Sequence, residues 1–236
     1  MCGRYGRRAD KQRIAEWFRT RNTDVFNEDY YEINDTAFTP SYNIAPESTQ
    51  PVVRLDHETG DRVLALMKWG LVPYWSKMPR AGFSSINARA DKLTSSGAWR
   101  EPWKHRRCLI PASFFYEWEP LTKEEEKKKI SKPWAVSLPD DRLFAFGGIW
   151  DRWKGRDANN NELVLENFSI ITTDPNELLE PFHNRSRSQA GGCGQSAAGA
   201  WAGHLDSAAG ARRVCRRADG IQAQAQLDRG SQGLWE

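Results

Sequence analysis

The sequence predicts an α+β protein: a single mixed, mostly antiparallel β-sheet domain with a few short helices. Three observations predict it. Short runs rich in β-branched and aromatic residues recur along the first 173 residues, separated by Gly, Pro, Asn and Asp. Helical spacing of apolar residues is confined to a few short windows. No apolar run approaches the roughly 18 residues of a membrane-spanning helix.

The elements follow in chain order. Ile14, Trp17 and Phe18 give residues 10–20 the spacing of a helix with one apolar face. Residues 41–46, Ser-Tyr-Asn-Ile-Ala-Pro, read as a fixed loop. Residues 51–55 and 62–69 read as two strands joined by a turn at 57–61, where Gly60 supplies the flexible position. Residues 107–110 and 113–118 are short strands. Residues 134–138 and 142–146 flank Pro139-Asp140-Asp141 and predict a hairpin, and residues 168–172 add another strand. A short helix at 175–181 opens with proline at a position helices accept. The charge run 123–132 and the polar stretch 156–161 read as solvated loops.

Composition bounds the function. A chain of 236 residues is long enough to bury a sizeable core. The formal charge of +3 permits nucleic-acid binding without arguing for it, so local clustering must carry that case. The start of the chain has no apolar segment of a secretory signal, which predicts a cytoplasmic protein with no membrane partner. Cys2, Cys108, Cys193 and Cys215 show neither a C-x-x-C pair nor zinc spacing, so free thiols, no structural metal and no cofactor are expected.

The chemistry begins at Met1-Cys2-Gly3-Arg4. Removal of Met1 would leave a cysteine with an amine and a thiol on neighbouring carbons. Their reference pKa values, near ~8 and ~8.5, make both partly available as nucleophiles at neutral pH. An aldehyde reacting with the amine gives an imine, and the neighbouring thiol closes on it to form a thiazolidine. That second step is intramolecular and correspondingly favoured. Taken alone, Cys2 is as well read as the second residue of a frayed terminus. Further segments change that balance. Asn87-Ala88-Arg89 places an amide and a guanidinium two apart, on one side of a strand, where Asn87 can orient a nucleophile and Arg89 can hold a phosphate. Glu117 stands between Tyr116 and Trp118, a setting that suits proton transfer if it is buried and a plain surface role if it is not. His183 titrates near neutrality and can act as acid or base, although a lone histidine is more often structural. Trp69, Tyr74 and Trp75 surround Gly70 and Pro73, and these aromatics can stack on bases or fill a core.

Taken together, these segments resemble the SOS response-associated peptidase (SRAP) family. The resemblance rests on the Met-Cys-Gly-Arg start, Tyr42-Asn43-Ile44-Ala45-Pro46, Trp69-Gly70-Leu71-Val72-Pro73, Asn87-Ala88-Arg89, the block 107–118 and His183-Asn184-Arg185, in family order over residues 2–185. It implies an SRAP-type fold and a protein that shields abasic sites in single-stranded DNA by a stable thiazolidine crosslink. It implies catalytic roles for Cys2, Asn87, Glu117 and His183, and DNA contacts by Arg4, Arg89 and Arg185. Asn43, Pro46, Trp69 and Trp75 are expected beside the splayed strand. The implied partner is abasic single-stranded DNA, the implied state a monomer, and no metal or cofactor is required. The family name records an older proposal of thiol peptidase activity, including removal of Met1.

The chain departs from the family after Arg185. Ser186-Arg187-Ser188-Gln189 stands where the family continues with an apolar strand. Residues 186–236 contain no Lys, Pro, Tyr, Phe, Thr or Met and hold nine of the eighteen glycines, so they read as an aberrant tail, frameshifted or disordered, after a domain at 2–185. Two other function classes remain open. A hydrolase with an N-terminal cysteine would use the amine as base for its own thiol, and class II glutamine amidotransferases also begin Met-Cys-Gly. A non-covalent single-strand DNA binder would use the same arginines and aromatics without Cys2 chemistry.

Overall fold

The structure, a computed structural model, describes residues 3–21, 37–77, 85–118, 121–128, 133–138, 142–156 and 160–173, with the backbone of 189–190, 192–193 and 222–224. Its strands are β1 (Tyr5–Arg7), β2 (Ser41–Ile44), β3 (Thr49–Leu55), β4 (Arg62–Trp69), β5 (Asn87–Arg89), β6 (Arg107–Ala112), β7 (Phe114–Trp118), β8 (Pro133–Ser137), β9 (Phe144–Arg156), β10 (Glu162–Thr173), β11 (Gln189–Ala190), β12 (Gly192–Cys193) and β13 (Gln222–Gln224). Among the described residues they are accompanied by the short α-helices α1 (Lys11–Phe18), α2 (Arg100–His105) and α3 (Lys123–Lys127). Among the described residues no helix is long and apolar enough to cross a membrane.

The strands form two sheets, not the single sheet expected from sequence. β4, β3, β6, β9 and β10 close into a five-stranded barrel, antiparallel except for the parallel β10–β4 pair, and β5 adds to β10. The second sheet has the order β13-β8-β7-β1-β2. The chain passes between them at Ser113, where β6 ends in the barrel and β7 begins in the other sheet. The expected hairpin of 134–138 with 142–146 is therefore split: β8 pairs with β7, and β9 pairs with β6 and β10. Its Pro-Asp-Asp tip lies outside the described residues, as do the expected helix 175–181 and residues Cys2, His183 and Arg185.

Alternation along the barrel strands explains the near-continuous apolar runs. Val52, Ala65, Met67, Ile110, Phe144 and Phe146 enter one core cluster, which also takes Tyr5, Phe115 and Val136 from the second sheet. Their neighbours Val53, Leu64, Leu66, Leu109 and Ala145 point the other way, into a cluster closed by Ile14 and Phe18 of α1. Both faces of these strands are thus buried, and a one-residue slip would exchange the two clusters. Helix α1 starts at Asp10, whose carboxylate accepts from Arg13 N (2.8 Å), and ends at Arg19 in the left-handed region.

Three further sequence expectations change. Residues 41–44 are a strand, because Tyr5 and Arg7 of β1 pair with Ile44 and Ser41; the loop begins at Ala45. Part of the charge run 123–132 is helix α3, fully solvated but nucleated by a capping box between Thr122 and Glu125. In the polar stretch 156–161, Arg156 is the last residue of β9 and pairs with Glu162 of β10, while residues 157–159 lie outside the described residues. The hairpin of β3 and β4 is as expected, and Gly60 takes a φ of 73°.

Candidate active site and nucleic-acid interface

The start of the chain is held by strand pairing. Tyr5 faces Phe115, Gly6 faces Phe114, and Tyr116 N donates to Arg4 O (3.0 Å), so the backbone still follows β7 at position 4. Gly6 is required there: a Cβ would lie 2.0 Å from Phe114 Cζ. Pleating sorts β7 into two faces. Phe115 packs edge-on against Phe144 and Phe146, toward the barrel, and Glu117 shares that side with only 2% of its surface exposed. Phe114, Tyr116 and Trp118 form a row of ring contacts on the other side. Of the two settings that the sequence left open for Glu117, buried and surface, the structure has the buried one. Tyr116 O–H donates to Tyr42 O (2.9 Å), and burial pushes its phenol pKa up.

Arg4 and Asn43 meet across β1 and β2, where Arg4 Nη1 donates to Asn43 Oδ1 (2.8 Å). Pro46 is half-buried in the loop after β2, and the next residue, Glu47, takes a φ of 70° while its N–H bonds to Trp69 O (2.8 Å). That bond ties the Pro46 loop to the end of β4.

Asn87 and Arg89 flank Ala88 on β5, which runs parallel to Ile170–Thr172 of β10. Ala88 sits in a core cluster with Leu71, Trp103 and Ile149, so pleating gives Asn87 and Arg89 the opposite face. Asn87 is buried at 6% exposure, whereas Arg89 is partly exposed and grips Asp91 with both edges of its fork, Nε to Oδ1 at 2.8 Å and Nη2 to Oδ2 at 2.6 Å. These bonds hold the Asp91 carboxyl below the usual carboxylate range, so it stays ionised and paired with Arg89 at neutral pH.

Trp69 belongs to the interior, which corrects its expected place beside DNA. It is 0% exposed, stacked parallel to Phe168 (centroids 6.3 Å apart) and edge-on to Tyr5 (5.3 Å), and its indole donates to Ile86 O (2.9 Å). No base can reach a ring so enclosed. Trp69 instead connects β1, through Tyr5, to the residue before Asn87, and so joins the two halves of the site. Trp75 is the accessible member of the segment, 59% exposed beside Tyr74 at 57%. The two tryptophans should therefore differ under substitution. Trp69→Ala is expected to destabilise the fold by about 3–5 kcal/mol, as for a large buried aromatic. Trp75→Ala should leave thermal stability nearly unchanged, and calorimetric melts of both variants check the contrast.

Sequence reasoning passed over the polar residues that shape this region, Asp151, Asn167 and Asp91. Asp151 is 2% and Asn167 0% exposed. The signal was there for two of them: Asp151 follows Gly-Ile-Trp and Asn167 precedes Phe-Ser-Ile, so each borders an apolar run of its strand. Cys108, by contrast, is buried among core residues, and burial pushes its thiol far above the ordinary range, which leaves it unreactive. Among the described residues no cluster of His, Cys, Asp or Glu is arranged to hold a metal ion.

Comparison with known proteins adds to this geometry. The sequence model of the family described as SOS response associated peptidase (SRAP) matches residues 1–189. The abasic site processing protein YoqW of Bacillus subtilis (strain 168) is 36% identical over 185 residues, covering 78% of this chain and 74% of that protein. The abasic site processing protein HMCES of Xenopus tropicalis is 28% identical over 197 residues, covering 75% of this chain and 55% of that protein. A crystal structure of a protein from Bacteroides thetaiotaomicron superposes with a TM-score of 0.74 at 23% identity, covering 96% of this chain and 93% of that one.

Proposed function

The chain belongs to the SOS response associated peptidase (SRAP) family, and from that membership we propose that it is an abasic site processing protein that captures the lesion covalently through Cys2 in single-stranded DNA. The observation that carries this reading is the seating of the chain start. β1 runs along β7 as far as Arg4, beside buried Glu117, and Tyr5 packs on Trp69, whose indole fixes the backbone next to Asn87. Gly3, the first described residue, follows Cys2 directly, one Cα step of about 3.8 Å away. The relatives YoqW and HMCES, named as abasic site processing proteins, support the same substrate.

In this mechanism Met1 is first hydrolysed from Cys2, which frees the amine. The abasic sugar opens to its aldehyde, the Cys2 nitrogen adds to C1′, and water leaves to give an imine. The Cys2 thiol then adds to the same carbon as its proton passes to nitrogen, closing the thiazolidine with no net oxidation. Asn87 orients the amine, and Glu117 with His183 moves the protons of ring opening, dehydration and closure. Arg4, Arg89 and Arg185 hold phosphates flanking the lesion, while Trp75, with Asn43 and Pro46 across the site, receives the splayed strand. The working domain is then 2–185, and residues 186–236 are an aberrant tail, frameshifted or disordered. Reading the gene in its other frames tests the frameshift, and neither frame yielding an apolar Pro-Val strand would remove it.

The main test is direct. The protein is incubated with a single-stranded oligonucleotide bearing one abasic site, and an SDS-resistant band of combined mass is expected; no band in excess protein overturns the reading. Salt provides a second check. Three phosphate contacts predict a slope of log K against log salt near −2 for single-stranded DNA, at roughly 0.7 per contact. Arg89→Gln should lower its magnitude by about 0.7, and an unchanged slope would remove Arg89 from the phosphate contacts.

A further inference from the structure

Residues 70–77 carry Tyr74 and Trp75 out to solvent, yet their backbone is fastened to the barrel by side chains from two strands. Asn167 of β10 accepts from Val72 N (2.7 Å) with Oδ1 and spends Nδ2 on Leu165 O (3.0 Å). Asp151 of β9 accepts from Tyr74 N (3.1 Å) with Oδ2, while its Oδ1 takes Arg152 N (2.8 Å) and Arg106 Nη2 (3.2 Å). The buried Trp153 donates its indole N–H to Ser76 O (2.8 Å). Three successive fasteners thus hold alternate residues 72, 74 and 76, and Ser76 N closes a tight turn on Pro73 O (2.9 Å).

A free loop would not need buried polar groups in the middle of barrel strands. A carboxylate with 3% side-chain exposure and a fully buried amide are costly to desolvate and are justified by the bonds they make. Here one bond from each ends on loop backbone, and the loop carries two aromatic side chains that are more than half exposed. Exposed aromatics that stack on bases bind best when already held in place, because ordering them on binding costs affinity.

We infer that Asp151, Asn167 and Trp153 are positioning residues that hold Tyr74 and Trp75 as a preformed stacking platform for a nucleobase next to the lesion. The inference rests on the reading of the protein as a binder of abasic single-stranded DNA. The residues act through the loop: none of them touches the strand, and their effect on binding depends on the aromatics they hold.

Fluorescence anisotropy tests this with a single-stranded oligonucleotide carrying a tetrahydrofuran abasic analogue, which has no aldehyde and so reports binding without chemistry. Asp151→Asn removes one acceptor, and Trp153→Phe keeps a ring in the barrel but removes the donor to Ser76. Each is measured alone and together with Trp75→Ala, with thermal melts to confirm that the variants are folded. In the parent each is expected to weaken binding about fivefold, and in the Trp75→Ala background less than about twofold, the non-additivity of residues acting through one element. Equal losses in both backgrounds, or folded variants that bind like the parent, would overturn the inference. Failure of the unmodified protein to bind the oligonucleotide would overturn the DNA-binding reading itself and this inference with it.

Discussion

Cys2→Ala is expected to abolish the SDS-resistant adduct with abasic DNA while leaving affinity for the tetrahydrofuran analogue within about twofold. The thiol is lost, so the thiazolidine cannot close, and any imine formed by the remaining amine stays hydrolysable. Ring closure by a neighbouring thiol has the advantage of an intramolecular reaction, with effective molarities that reach about 10⁵ M or more. No other described thiol can substitute, since Cys108 is sealed in the core. The measurement is a gel after denaturation, run with and without borohydride. A borohydride-dependent band in the variant would show that the amine still reacts and that the thiol is the locking group. A borohydride-independent band equal to wild type would sink the role of Cys2. This variant also separates the remaining function classes, because a non-covalent binder predicts no adduct in either protein, and an N-terminal cysteine hydrolase predicts turnover of a glutamine or peptide ester.

Glu117→Gln is expected to have the next largest effect, slowing adduct formation at saturating DNA by about 10²–10⁴-fold. The substitution keeps the shape of a buried side chain, so packing against the barrel side of β7 is preserved. It replaces a group that can give and take a proton with one that cannot. Binding of the analogue should change little, because Glu117 faces inward with Phe115 and is not among the phosphate ligands. A limiting rate within threefold of wild type would remove Glu117 from proton transfer.

Much of the site was legible because its signals are local. Asn87 and Arg89 share a strand face by the two-residue period alone, and β5 shows that arrangement. Glu117 between two aromatics left buried and surface roles open, and the packing of β7 decided for burial. Trp69 was misplaced for a complementary reason. In Trp-Gly-Leu-Val-Pro-Tyr-Trp all three aromatics have the same local chemistry, and nothing in the segment says that Leu71 and Val72 stay buried with Trp69 and that the chain reaches solvent only at Tyr74. The hairpin expected around Pro139 failed likewise, because adjacent strands with a turn between them can pair with each other or with distant partners, and their own sequence is the same in both cases.

The sequence by itself determined the family, the set of chemical groups and the strand content, because these depend on residue identity and on periods of two to four residues. Tertiary structure alone decided that the strands close into a barrel with a second sheet against it, that Trp69 links Tyr5 to the strand of Asn87 rather than meeting DNA, and that Asp151 and Asn167 reach out of the barrel to hold an aromatic loop. Those outcomes rest on contacts between residues far apart in the chain, such as Val72 with Asn167, 95 positions away, where the free energy lies in burial and in hydrogen bonds completed across elements. A local pattern can announce a lone polar group in an apolar strand, but what it holds depends on which strand the fold brings beside it.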